Sequence, residues 1–397
     1  MMKINLLWAI LLYFLQPVFI IGLIYVYYNH NKRVKYSRKE FRVNFNRTNF
    51  ELKDYFLKGL LPGLLISVVS ILVGIPLTLE WYLVYQTITI LLLLIGGSRL
   101  IHPLFTFSMS SILFYLLNRY EVGFKLSKFQ PLLNEKLFNL DFELETISLL
   151  MNNILWFMLL ILLVTIFKMK KHEENKIFPT LTPSKRGKSV AKYPYNTLWI
   201  LPMAVIVPGN IIEPFTEWWP LFNIGSERYA LVFLPVLVGL HFTVSSQLLH
   251  MATEKIRKDF MRLFLLGVVG VIFSNYYPSI SIWITGLLLI LGIFILYRHR
   301  RREKIGNIQY GPADTGLRVI AVRPDSPAER LDLSVGDLIL TINDAEMNHR
   351  VEFDEVLAYN RSYIKLRIQR KDGEIVIAET PLYDDDYNNL GLLILDE

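Results

Sequence analysis

The residues that hydrolytic chemistry would need are present only as fragments. A zinc protease holds its metal with two histidines one helical turn apart and activates water with the glutamate beside the first. The only His-Glu pair, His172-Glu173, is followed by Glu174, Asn175 and Lys176, with no second histidine in reach. A serine protease of the intramembrane kind needs a Gly-x-Ser element within an apolar segment and a histidine on a facing one. Gly225-Ser226 lies instead in a polar stretch. No Gly-x-x-x-x-Gly-Lys phosphate loop occurs. Cysteine is absent, which removes disulfides, thiolate metal sites and a thiol nucleophile. The expectation is a non-enzymatic chain without metal or cofactor.

The elements that would carry any site are mostly apolar. Of 397 residues, 53% are hydrophobic and only 19% charged, a balance outside the soluble globular range, and the excess lies before Arg298. Runs able to cross a hydrocarbon core of about 30 Å need roughly 20 residues each. Nine candidates stand out, at 4–28, 59–79, 82–101, 103–117, 146–167, 197–212, 229–249, 263–277 and 279–297. The fourth, sixth and eighth are short, which leaves re-entrant or tilted elements open and the total at eight or nine.

Basic flanks set the orientation, because Lys and Arg are retained on the cytoplasmic side. They collect after the first run (Lys32, Arg33, Lys35, Arg38 and Lys39), after the fifth (Lys168, Lys170 and Lys171), from Lys255 to Arg262, and from Arg298 to Lys304. The net charge of +7 is thus read as topology, with no nucleic-acid partner. The expected layout is a multi-pass membrane domain over 1–297 with an external N-terminus, a basic juxtamembrane linker over 298–304, and a cytoplasmic domain over 305–397. Inside the runs, Arg99 and His102 are expected to snorkel at an inner end. The stripe His241, Thr243, Ser245, Ser246, Gln247 and His250 is expected to join elements by hydrogen bonds.

The last hundred residues have soluble composition and strand-and-turn grammar. Residues 316–322 alternate as a strand, and Ser326-Pro327-Ala328-Glu329 starts a short helix with a cap, a proline and an acid. Gly336-Asp337 turns into an apolar strand over 338–342. A helix is expected over 351–359, and strands over 362–370 and 374–379 join through Lys371-Asp372-Gly373. This pattern, with Ser326-Pro327-Ala328 followed by Val335-Gly336-Asp337-Leu338-Ile339, resembles a PDZ domain in its bacterial, circularly permuted arrangement.

The fold class implied is a polytopic α-helical membrane domain followed by a small α+β PDZ-like domain. By that resemblance an extended peptide, usually a C-terminus, adds as a strand beside a helix. Leu390, Gly391 and Leu392, with Leu393 following, would form the carboxylate loop and its strand, and Phe353, Val356 and Leu357 would line the groove. A rival loop is Ile305-Gly306-Asn307-Ile308. The tail is expected to fold as an independent unit with one open sheet edge.

The whole layout is similar to that of the MinJ cell-division topology proteins. The resemblance implies a membrane scaffold at septa and poles, with DivIVA-like and MinD-like partners among other divisome proteins and a role in division-site selection. A regulatory PDZ protein associated with a membrane protease, or a transporter with a PDZ tail, are the alternatives. The Leu61-Pro62-Gly63 and Val207-Pro208-Gly209 interruptions are the features a transporter would use.

Overall fold

The structure, a computed structural model, describes residues 11–41, 49–119, 144–170, 177–183, 188–214, 218–226, 228–313, 315–323, 326–347, 349–359, 363–383 and 390–395. Its first body is built from α1 (Pro17–Phe41), α2 (Phe50–Val73), α3 (Leu79–Gly96), α4 (Pro103–Arg119), α5 (Leu144–Lys170), β1 (Thr180–Pro183), β2 (Ser189–Ile212), β3 (Tyr229–Val244), α6 (Leu249–Tyr276) and α7 (Ser281–Ile305). Among the described residues four helices are long and apolar enough to cross a membrane: Phe50–Val73, Leu79–Leu100, Thr146–Met169 and Pro278–Ile305. The face of α2 that packs inward is small, with Gly59, Gly63, Ser67 and Ser70 buried, whereas Leu61, Leu64, Leu65 and Leu72 point outward.

Two of the nine apolar runs expected as helical spans, 197–212 and 229–249, are instead mostly the arms of a β-hairpin. β2 is 24 residues long, β3 is 16, and they pair antiparallel from Tyr193↔Val244 to Pro208↔Tyr229. Proline accounts for this. A helix would lose a hydrogen bond and suffer a ring clash at each interior proline. In an antiparallel strand the N–H and C=O groups of successive residues face opposite edges. Pro194, Pro202 and Pro208 all fall on even positions of β2, whose backbone polar groups face away from β3, so no ladder bond is lost. Pro235, paired opposite Pro202, does the same on β3.

Outward-facing groups of the hairpin find partners on the surrounding helices and their connections, as backbone away from water requires. Ala204 N donates to Ser67 Oγ at 2.8 Å and Leu77 N donates to Ile206 O at 2.9 Å. On β3, Leu237 N donates to Tyr85 Oη at 3.2 Å and Phe233 O accepts from Gln16 Nε2 at 2.8 Å. α2 lies so close to β2 that a Cβ at Gly59 would sit 1.7 Å from Ile200 O, and one at Gly63 2.4 Å from Pro202 O.

Polar clamps fix the helix ends. His102 does not snorkel: it is fully buried, its Nδ1 accepts from Leu104 N at 3.0 Å, and its Nε2 meets Thr165 Oγ1 at 2.9 Å. Asp259 of α6 binds Arg298 of α7, and Arg262 at 3.1 Å. The polar stripe after His241 does join elements, through a partner far away in sequence. The Glu303 carboxylate accepts from Ser245 N at 2.7 Å, Ser246 N at 2.8 Å and Gln247 Nε2 at 2.6 Å. Residues 298–304, expected as a linker, are the last turns of α7, where Arg302 and Lys304 complement the negative end of the helix dipole.

The second body contains β4 (Leu317–Val322), α8 (Pro327–Arg330), β5 (Leu338–Ile342), β6 (Ala345–Glu346), α9 (Arg350–Tyr359), β7 (Tyr363–Gln369), β8 (Ile375–Pro381) and β9 (Leu392–Leu395). The sheet order is β8-β7-β5-β4-β9, with β6 paired to β5. Asn343 and Asp344 make the β5–β6 turn with positive φ at both positions, the conformation a two-residue hairpin favours.

This body has a core of its own and touches the first one. Gln309 N donates to Ser245 O at 3.0 Å and Ala191 N donates to Tyr310 O at 2.9 Å, so the segment after α7 runs along the base of the long hairpin. Tyr193 Oη donates to Ile320 O at 2.6 Å, and the rings of Tyr193 and Tyr310 lie 4.5 Å apart.

Candidate peptide-binding groove

β9 is the last strand of its sheet, so one of its edges carries no partner strand among the described residues. It pairs antiparallel with β4, from Val322↔Leu392 to Arg318↔Leu395. Its approach is shaped by Gly391, whose φ of +76° is the left-handed region that favours glycine. The turn is held by the start of α8: Ala328 N donates to Leu390 O at 3.0 Å and Arg323 N donates to Gly391 O at 2.7 Å. A Cβ at 391 would meet Ser326 Cβ at 2.3 Å, so the fold of the loop itself demands glycine. Ser326 stands at the cap position of α8, but its hydroxyl donates to Arg323 O at 2.6 Å instead of accepting from the helix.

Strand alternation divides the expected site residues between two faces. Leu390 and Ile394 are buried in the core of the second body together with Phe353, and Leu392, Val356 and Leu357 are half-buried against that core. Leu390, Leu392, Phe353, Val356 and Leu357 therefore belong to one apolar cluster, to which both α9 and β9 contribute. Leu393 does not join them. With Leu395 it faces the opposite way and packs into the cluster that contains Tyr193, Tyr310 and Ile320. Phe353 is 5% exposed and belongs to the core floor more than to an open wall. Leu392, Val356 and Leu357 are the half-buried members of the expected set.

The rival loop is used otherwise. Gly306 N closes α7 on Arg302 O at 2.9 Å, and a Cβ at Gly306 would lie 2.6 Å from Ser246 Cβ. Residues 305–308 thus form the bridge between the bodies. Within the second body, Asp337 is 1% exposed and accepts from Ser334 N at 2.8 Å and from Arg370 Nη1 at 2.8 Å. Arg318 on β4 donates from Nε to Gly311 O at 2.8 Å, and burial pushes its guanidinium below the usual arginine range. Among the described residues no three His, Cys, Asp or Glu side chains are grouped to hold a metal. His172 and Glu173 lie outside those residues.

Comparison with known proteins gives the groove its family. Residues 294–380 match the model of the PDZ domain family. The match begins within α7 and ends before β9, so the edge strand lies beyond it. The chain is 26% identical over 388 residues to the cell division topological determinant MinJ of Bacillus subtilis, covering 97% of this chain and 93% of that protein. It is 24% identical over 233 residues to a probable cell division topological determinant MinJ of Lacticaseibacillus paracasei, covering 55% and 59%. The crystal structure of the PDZ domain of an SdrC-like protein from Listeria monocytogenes is 20% identical, with a TM-score of 0.19, covering 21% of this chain and 90% of that one. The likeness to the Bacillus protein runs through both bodies, and the PDZ match covers α9 and the strands that support β9. The chain is a MinJ-like cell-division protein that carries a PDZ domain.

Proposed function

We propose that this protein is a non-enzymatic membrane scaffold that gathers division-site regulators on the inner face of a bacterial membrane. The observation that carries the reading is the pairing of nearly full-length similarity to a division topological determinant with a strand-edge groove on a domain of peptide-binding type. A peptide adding to β9 would take its main-chain hydrogen bonds from the open edge and seat an apolar side chain against Leu392, Val356 and Leu357. Holding several partners at one membrane anchor raises their effective concentration without changing their chemistry.

The same elements support an orientation. With all seven helices of the first body and both arms of its hairpin crossing, four of those helices being long and apolar enough by themselves, the count would be nine. At about 3.3 Å per residue the 16 residues of β3 extend about 50 Å, longer than a hydrocarbon core of about 30 Å. Nine crossings put the start of the chain outside and the PDZ domain inside. Arg38, Lys39, Lys255, Arg257, Arg302 and Lys304 then all lie on the inner side, as retained positive flanks require. DivIVA-like and MinD-like proteins are the expected partners, and septum and poles the expected places.

Co-purification from cross-linked membranes tests this, comparing the full chain with one lacking 306–397. Division proteins are expected with the first and lost with the second. An identical set of captured proteins from both would remove the PDZ domain from the recruiting role.

A further inference from the structure

Between α7, the base of the long hairpin and the segment leading to the PDZ domain lies a cavity of about 1190 Å³. Its charge is one-sided. Arg99, Lys188, Lys192, Arg300 and Lys304 line it, against a single carboxylate, Glu303. That carboxylate is already occupied by the backbone N–H groups of Ser245 and Ser246 and the amide of Gln247. Among the described residues no carboxylate lies in ion-pair distance of Arg99, Lys192, Arg300 or Lys304. His241 also lines the cavity, and its Nδ1 is buried without a hydrogen-bond partner among those residues. Cations gathered in a recess without counter-charges repel one another unless an anion joins them.

Beside Thr243, Ser245, His299 and Asn307, the lining has an apolar stretch. Leu100, Ile293, Leu296 and Tyr297 form a wall that continues along α7 onto its exposed hydrophobic side, where Ile290 and Phe294 point outward. The cavity sits where α7 changes from an apolar run to Arg300 and Lys304, the level at which a membrane-crossing helix meets lipid headgroups. A ligand that satisfies both halves carries a phosphate at one end and hydrocarbon at the other.

We propose that this cavity binds an anionic phospholipid, its phosphate held among Arg99, Lys192, Arg300 and Lys304 and its first acyl carbons lying along Ile293, Leu296 and Tyr297. Gly306, Asn307 and Gly311 on the far wall belong to the bridge into the PDZ domain, so the bound lipid braces the joint between the two bodies. The inference rests on the membrane reading, which carbonate extraction of the chain from membranes tests separately.

The experiment is native mass spectrometry of the full chain in detergent, titrated with phosphatidylglycerol, phosphatidylcholine or inorganic phosphate. Phosphatidylglycerol is expected to be retained preferentially. Each cation near the headgroup accounts for about fivefold in affinity, so Arg300→Gln with Lys304→Gln is expected to weaken retention roughly 25-fold. Arg99→Gln with Lys192→Gln provides a second pair on other elements, with the same expectation. Arg38→Gln with Lys39→Gln, away from the cavity, is expected to leave retention unchanged. Equal retention of both lipids, equal loss in the Arg38 and Lys39 control, or phosphate binding as tightly as the lipid would each overturn the assignment. In a chain that resists carbonate extraction, such a result would leave the membrane reading intact.

Discussion

Replacing Gly59 by leucine is expected to abolish the folded form of the first body. α2 rests on the backbone of β2, and a Cβ at Gly59 would stand 1.7 Å from Ile200 O and 2.6 Å from its carbonyl carbon. Overpacking that only displaces side chains costs about 1–3 kcal/mol. Here the obstacle is backbone on both sides, and moving it breaks the neighbouring bond from Ala204 N to Ser67 Oγ. The same helix face must also bring Gly63 within reach of Pro202 O, so α2 cannot rotate away without losing the second contact. Gly286→Ala in α7 is the control, because a Cβ there has nothing within 4 Å. Relief of glycine's backbone entropy is expected to stabilise that variant by roughly 0.5–1 kcal/mol. Thermal unfolding of the detergent-solubilised chains should show no cooperative transition for Gly59→Leu and an unchanged or raised midpoint for Gly286→Ala. A wild-type midpoint for Gly59→Leu would mean that α2 does not lie against the hairpin.

Asp337→Ala is expected to open the PDZ domain while leaving the first body in place. Asp337 is almost fully buried and satisfies Ser334 N, Arg370 Nη1 and through them the turn into β5. Arg370 also donates to Asp332 O at 2.5 Å, so one guanidinium ties the end of β7 to the α8–β5 connection. Arg370 keeps the Asp332 carboxylate at 3.0 Å in the variant, so the loss is that of the buried acceptor of Ser334 N and Arg370 Nη1, at a cost of about 1–3 kcal/mol. A small domain has a total stability of about 5–15 kcal/mol, so the loss is a large share. Limited proteolysis of the full chain reads the result. The variant should be cut within 315–383 at protease levels that leave the wild type whole, with the long helices still protected. Equal resistance would show that the Asp337 network is dispensable.

Local grammar and bare composition differ in what they reveal of this fold. The second body is legible nearly strand by strand, because alternation and turn residues such as Gly336-Asp337 and Lys371-Asp372-Gly373 act over a few positions. The hairpin is not, because an apolar run of its length has the same composition whether it becomes a helix or a buried strand. Its signal is the parity of Pro194, Pro202 and Pro208, which only a strand can place on one edge. Leu393 is adjacent in sequence to the groove residues, yet alternation along β9 sends it to the other face. Glu303 carries no local signal at all, since its carboxylate site is formed by Ser245 to Gln247, and Ser245 stands 58 residues earlier. The docking of Tyr193 onto Ile320 is of the same kind.

A single observation in dividing cells bears on the central claim, that a membrane-anchored groove places this protein's partners at the division site. The full chain, fused to a fluorescent protein, is compared with Val356→Glu, which sets a charge at a half-buried position of the proposed groove. Wild-type signal is expected to concentrate at septa and poles, and variant signal to stay in the membrane but spread evenly. A wild type spread evenly around the cell, or a variant as concentrated at septa as the wild type, would contradict the claim.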